Sequence, residues 1–125
     1  MVLIAIGFAG ALGALARYGV SLAALRWFGE DFPYGTLCVN LAGCFLLGVI
    51  AELTMEDARL APQTRAILGT GFLGAFTTFS TFGVDTYRAM QAGAWGVAAS
   101  NVAINVVGGI FLVAAGVALA SALRH

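Results

Sequence analysis

The sequence predicts an all-α membrane protein with four transmembrane helices. Of its 125 residues, 61% are hydrophobic and only 10% are charged, and the mean hydropathy is +0.96. This balance is far from that of a soluble domain. Four apolar segments, at about residues 2–20, 35–51, 66–84 and 94–123, reach the roughly 17 residues that a helix needs to cross a hydrocarbon core. The chain is expected to form one four-span domain over residues 1–125, located in the cell (inner) membrane.

The first, second and fourth spans are ordinary apolar helices with a few polar residues. Arg17 lies near the predicted end of the first span, from where its side chain could reach the membrane surface. The second span contains Asn40, and the fourth contains Asn101 and Asn105, which are four residues apart and share a helix face. Asparagine in a span often bonds only to a neighbouring helix. These amides are therefore candidates either for a pore lining or for plain helix packing.

The third span contains a segment that is a poor helix. Residues 69–83 include Gly69, Gly71 and Gly74, and glycine carries the largest helix penalty after proline. They also include β-branched threonines such as Thr77, whose hydroxyls compete for backbone groups. A helix break survives in a bilayer only where the freed backbone groups face protein, a water-filled cavity or an ion. We predict a break near Gly74–Thr77; the alternative is an unbroken span whose small residues allow close packing.

The polar groups at the predicted mid-depth of the spans are neutral, although ionisable residues are the usual functional signal in a membrane. Phe79 and Phe82 share a helix face, and a phenylalanine ring has an electropositive edge. Ring edges beside amide and hydroxyl donors could dehydrate a small anion without a fixed cation, which would hold the anion too tightly for conduction. The candidate pore residues are Asn40, Phe79, Ser80, Thr81, Phe82 and Asn105, with Arg17 at the mouth to raise the local anion concentration.

The distribution of arginine and aromatic residues predicts insertion in both directions. Four spans place both termini and the 52–65 loop on one side of the membrane, and each side carries three arginines, so the positive-inside rule favours neither orientation. The interfacial Trp and Tyr residues all lie on the other side. Two oppositely inserted copies would supply both interfaces, which predicts an antiparallel, dual-topology homodimer. The arginines are Arg59, Arg65 and Arg124 on the first side and Arg17, Arg26 and Arg88 on the second; the aromatic residues are Tyr18, Trp27, Tyr34, Tyr87 and Trp95.

Other classes of function fit the sequence less well. The chain has no lysine, and without a basic patch it is not expected to bind nucleic acid. It offers no nucleophile–base pair or metal cluster, so it is not expected to be an enzyme. A small multidrug-resistance-type transporter would need a carboxylate in its first span, and residues 2–16 contain none. A non-transporting subunit of a membrane assembly would explain small residues on helix faces, but not the Thr/Phe segment of the third span.

Four segments resemble the Fluc (CrcB-type) fluoride-channel family, one in each span. They are residues 10–18, which end in Arg17 and Tyr18, then 35–43 around Asn40, 71–82, and 101–109. The segment 71–82, with the sequence Gly-Phe-Leu-Gly-Ala-Phe-Thr-Thr-Phe-Ser-Thr-Phe, is the most specific of the four. One departure is Gly109, where some relatives have a hydroxyl residue.

The resemblance implies an antiparallel homodimer with two pores that exports fluoride passively and so reduces its toxicity. It assigns Asn40 to the pore and Phe79 and Phe82 to its paired phenylalanines. It also implies a central sodium ion that is not transported. Backbone carbonyls matching Gly74 and Thr77 of both subunits would hold this ion.

Overall fold

The computed structural model describes residues 1–54 and 60–123, and all the regular structure in this part of the chain is helical. Four helical runs are long and apolar enough to cross a membrane, which confirms the predicted four-span, all-α architecture. The third run is divided in two. The helices are α1 (Val2–Phe28), α2 (Tyr34–Leu53), α3 (residues 62–76), α4 (Phe79–Gln91) and α5 (Trp95–Ala122).

Two of the helices extend well beyond the predicted spans. The helix α1 continues to Phe28 and ends at Gly29, whose φ of 77° lies in the left-handed region that favours glycine. The helix α4 continues to Gln91 and is followed by Gly93, with a φ of 72°. The predicted spans ended near charged residues, but charge does not stop these helices. The carboxylate of Asp85, inside α4, accepts a hydrogen bond from another helix.

The third span is broken at Thr77 and Thr78, at the edge of the predicted position. The helix α3 consists of Pro62–Arg65, wide π-type turns over Ala66–Leu73, and Gly74–Phe76. The two threonines then adopt extended backbone, with ψ values of 160° and 112°. The helix α4 starts immediately afterwards, because the Thr78 side chain accepts a hydrogen bond from the Thr81 N–H and caps it. The predicted break is confirmed.

Glycine allows two pairs of helices to pack with their backbones in contact. In the α1–α3 pair, a Cβ on Gly13 would overlap the carbonyl oxygen of Phe72. In the α2–α5 pair, a Cβ on Gly48 would overlap the carbonyl oxygen of Val113, and a Cβ on Gly116 would overlap that of Phe45. Such close approach is typical of helix packing in membranes.

The small buried core lies beside the break. Val39 of α2 and Leu73 and Phe76 of α3 form one cluster, against which Ala16 and Val20 of α1 pack. Most other large apolar side chains point outward, as expected for a chain surrounded by lipid. The end of α3 that precedes the break is therefore packed against α1 and α2.

Candidate functional site

A cleft of about 330 Å³ lies against the break in the third span. Its walls come from α2, α3, α4 and α5, and they are largely apolar. The described residues that line it carry no formal charge. Among them are most of the residues predicted for the pore and for the ion site, namely Asn40, Gly74, Thr77, Phe79, Phe82 and Asn105, together with Thr78.

Three predicted residues lie elsewhere. Ser80 and Thr81 are exposed in the first turn of α4, where the Thr78 hydroxyl donates to the Thr81 hydroxyl over 2.9 Å. Thr81 contributes to a second cleft. Arg17 is half-buried within α1, with residues 18–28 following it in the same helix, and it is not among the described residues that line either cleft.

Asn40 clamps the broken segment through its side-chain amide. Its Oδ1 accepts a hydrogen bond of 2.8 Å from the Thr78 N–H, and its Nδ2 donates to the Thr78 carbonyl oxygen over 3.2 Å. The same Nδ2 also donates to Asn105 Oδ1 over 3.0 Å. Both Nδ2 hydrogens are thus engaged within the chain. The amide supplies the pairing that the extended backbone of Thr78 loses by leaving the helix.

The break redirects two backbone amides away from carbonyls that a continuous α-helix would pair. In such a helix the Thr78 N–H would donate to the Gly74 carbonyl, and the Thr81 N–H to the Thr77 carbonyl. Here the Thr78 N–H donates to Asn40 Oδ1 and the Thr81 N–H donates to Thr78 Oγ1, over 2.8 and 3.2 Å. The carbonyls of Gly74 and Thr77 are therefore among the oxygens that the break deprives of their helical donors.

The two phenylalanines at the start of α4 form a tilted pair at the cleft. The ring centroids of Phe79 and Phe82 are 5.5 Å apart and the ring planes meet at 46°. Phe79 is 83% exposed, and Phe82 is half-buried. Ring edges carry partial positive charge, so this pair can offer an anion a favourable surface that holds no formal charge.

A second cleft, of about 540 Å³, lies where α2 begins. The Thr36 hydroxyl donates to Asp85 Oδ2 over 2.8 Å, which joins α2 to α4. Glu30, Thr81 and Arg88 also line this cleft. Thr36 and Asp85 were not among the predicted site residues, because residue 85 lies just beyond the predicted third span. The spacing of residues 81, 85 and 88, which places them on one helix face, could have revealed the site.

Four apolar spans, three of which line a largely apolar cleft with no charge on its described lining, define a small multi-pass membrane protein with a broken helix. Residues 4–117 match the model of the family described as CrcB-like protein, Camphor Resistance (CrcB). The chain belongs to this family. The resemblance seen in the sequence is therefore confirmed.

Several curated relatives are similar over nearly the whole chain. The protein of Hydrogenovibrio crunogenus is 46% identical over 115 residues, which cover 92% of this chain and 87% of the relative. That of Shewanella loihica is 45% identical, covering 89% of both chains. That of Citrifermentans bemidjiense is 44% identical, covering 97% of this chain and 98% of the relative. Each is named a fluoride-specific ion channel FluC.

Proposed function

We propose that the protein is a fluoride-specific ion channel that lets fluoride leave the cell passively and so reduces its toxicity. The relatives that it matches along most of its length carry this name. The observation that carries the proposal is the cleft at the break, where two amides and a phenylalanine pair meet in walls that contain no charged described residue. Conduction requires sites that attract the ion without trapping it.

The ring edges of Phe79 and Phe82 are the main anion-facing surface in this proposal. Because both hydrogens of Asn40 Nδ2 bond within the chain, Asn40 shapes the path by holding the break as well as by lining the cleft. The hydroxyls of Ser80 and Thr81 lie on the exposed first turn of α4, where they can replace part of the water around an arriving fluoride. Arg17 raises the anion concentration nearby through its charge.

The working form in this proposal is an antiparallel homodimer of oppositely inserted copies. Tyr18, Trp27, Tyr87 and Trp95 are between 60% and 79% exposed, so they are available as membrane-interface anchors. All of them lie on one predicted side, and a second, inverted copy would complete the missing belt. Two of the arginines used in the orientation argument, Arg59 and Arg124, lie outside the described residues. A C-terminal reporter should be found on both sides of the membrane; a one-sided reporter would contradict dual topology.

This proposal includes a structural sodium ion at the break. The carbonyls of Gly74 and Thr77 have lost their helical donors, and both residues line the cleft. Backbone carbonyls are hard, uncharged ligands, which suit a monovalent cation better than a divalent one. Bound between two subunits, sodium would supply positive charge at the dimer centre and would stabilise the dimer by mass action.

The sodium proposal can be tested by exchange. We expect purification in a larger cation, such as N-methylglucamine, to weaken the dimer or lower fluoride flux, with no sodium transport. Unchanged dimerisation and flux after exhaustive sodium removal would contradict the proposal.

The channel proposal is tested by reconstitution. The purified protein alone, placed in liposomes loaded with fluoride, should release fluoride down its gradient, while liposomes loaded with chloride should stay full. Protein-free liposomes are the control. Release that requires an opposing proton gradient would instead indicate a coupled transporter, and the absence of release would indicate a non-transporting assembly subunit.

A further inference from the structure

One ladder of hydrogen bonds starts at the residue that caps α4. The N–H of Thr78 can only donate, and it donates to Asn40 Oδ1. This fixes the orientation of the Asn40 amide, whose Nδ2 donates to Asn105 Oδ1 over 3.0 Å. The Asn105 amide is fixed in turn, because its Nδ2 donates to Asn101 Oδ1 and to the Asn101 carbonyl oxygen, both over 2.9 Å. One backbone N–H thus determines the orientation of three side-chain amides, those of Asn40, Asn105 and Asn101.

The ladder then returns to α4. Asn101 is completely buried, and its Nδ2 donates to Thr86 Oγ1 over 2.9 Å. The Thr86 hydroxyl donates onward to the carbonyl oxygen of Phe82 over 2.8 Å. Positions 82 and 86 are four residues apart and share one face of α4, and Thr78 caps the start of the helix. The ladder therefore holds α4 at two points, one at its cap and one two turns further along.

Within this chain, α4 is packed less deeply than α2. Of the residues of α4, all of which the structure describes, none is buried. In α2, by contrast, Thr36, Val39, Gly43 and Gly48 are buried. Phe82, Asp85, Thr86 and Ala89 of α4 are only half-buried, so packing restricts rotation about the helix axis less than full burial would, and directional bonds add to that restriction. Hydrogen bonds are directional, and the ladder provides them on the face that carries Phe82.

We propose that Asn101 and Thr86 are positioning residues, which fix the rotation of α4 and thereby aim the rings of Phe79 and Phe82 at the cleft. Neither residue is among the described residues that line the cleft. They therefore act on an ion only indirectly, through the position of the two rings. The effect on flux rests on the proposed fluoride conduction. The placement of the rings does not, and it can be measured separately.

The central test compares three threonine variants. Thr86→Val keeps the shape of the side chain but leaves the buried Asn101 amide without its acceptor. Thr86→Ser keeps the hydroxyl and serves as the rescue. Thr54→Val is the matched control, because the Thr54 hydroxyl bonds only to carbonyls of its own helix among the described contacts, those of Ile50 and Ala51. Asn101→Leu removes the same link from the other partner.

Two readouts are measured on monodisperse protein. A 4-fluorophenylalanine placed at position 82 reports the ring environment by ¹⁹F NMR, and liposome efflux reports fluoride flux per folded protein and its ratio to chloride flux. We expect Thr86→Val and Asn101→Leu to shift the ¹⁹F resonance and to lower fluoride flux about tenfold, the scale for an unsatisfied buried donor. Their fluoride-to-chloride ratio should fall as well. Thr86→Ser and Thr54→Val should match the wild type.

The outcomes separate the two proposals. An unchanged ¹⁹F resonance in Thr86→Val and Asn101→Leu would overturn the positioning role, whatever the flux. A normal flux per folded protein and a normal anion ratio would also overturn it, even if the yield fell, because the pair would then have only a structural role. Failure of both variants to fold while Thr86→Ser folds would overturn it for the same reason. A wild-type protein that passes no fluoride, with the ¹⁹F shift still present, would defeat only the channel proposal.

Discussion

The glycine-packed helix pairs and the helix α4 are held in place by different physical means. In the α1–α3 and α2–α5 pairs, glycines such as Gly13 and Gly48 bring one backbone against another. In α4, which is fully described, no side chain is buried, and the helix is held by hydrogen bonds that involve side chains, one at its cap residue Thr78 and one at Thr86. The first arrangement depends on the absence of atoms, and the second depends on the presence of particular polar atoms.

This difference predicts which property each region controls. Replacing one glycine by alanine in a glycine-packed helix pair forces the two backbones apart and reduces the stability of the fold. Removing one polar atom near α4 leaves the spans packed but loosens the helix that carries the phenylalanine pair. Stability and flux should therefore respond to different substitutions.

Gly48→Ala should have the largest effect on stability. Its Cβ would overlap the carbonyl oxygen of Val113, which is backbone and cannot rotate away. We expect the free energy of unfolding to fall by about 3 kcal/mol or more, which is at or above the top of the usual range for overpacking. The measurement is the melting temperature in detergent, which should be lower than that of the wild type. The matched control is Gly7→Ala, because a Cβ there meets no described atom within 4 Å. Gly7→Ala should leave the free energy of unfolding unchanged or raise it by up to about 1 kcal/mol, because alanine has the higher helix propensity. Equal melting temperatures for both variants would contradict the packing account.

Asn40→Asp should have the largest effect on flux. The new carboxylate oxygen would face two acceptors, the Thr78 carbonyl oxygen and Asn105 Oδ1, that the amide nitrogen now bonds. It would also place a negative charge at the cleft that the anion enters. We expect fluoride efflux to fall about a hundredfold or more at equal folded protein, a scale set by an unpaired charge in a poorly solvated site. Cys38→Ala, at an exposed position on the same helix, is the control. Retained flux in Asn40→Asp would mean that the clamp is dispensable.

Thr36→Val should have the smallest effect of the three. It removes the hydroxyl that donates to Asp85 and joins α2 to α4. The carboxylate lines an open cleft, so water can replace the lost donor. We expect about a threefold decrease in fluoride efflux, near the net value of one hydrogen bond, and little change in melting temperature. A decrease in fluoride efflux as large as that of Asn40→Asp would show that the second cleft, and not the first, limits flux.

The sequence allowed prediction of the spans and of the break because both depend on local composition. Apolar length indicates a transmembrane helix, and the glycines and threonines of residues 69–83 make an uninterrupted helix unfavourable. The phenylalanine pair follows from helical spacing alone. These features required no knowledge of how the helices pack.

The contacts between helices could not be read from the sequence in the same way. Nothing local indicates that Asn101 meets Thr86, or that Thr36 meets Asp85, because each contact joins different spans. On α5, Ala114, Ala118 and Ala122 form a stripe at four-residue spacing that is exposed within this chain, whereas Gly109, Gly116 and Ala120 are buried. Both stripes consist of small residues, so composition did not distinguish the packed face from the open one.

The most direct test of the central claim is the fluoride efflux of phenylalanine variants at the cleft. Phe79→Ile and Phe82→Ile keep an apolar side chain but remove the electropositive ring edge. The control, Phe8→Ile, makes the same change at a ring that is 71% exposed on α1. We predict that fluoride efflux per folded protein falls about tenfold in both cleft variants, from the loss of an aromatic contact of about 1.5 kcal/mol, and stays at the wild-type value in Phe8→Ile. Wild-type efflux in Phe79→Ile and Phe82→Ile would contradict the claim, because the rings would then only fill space.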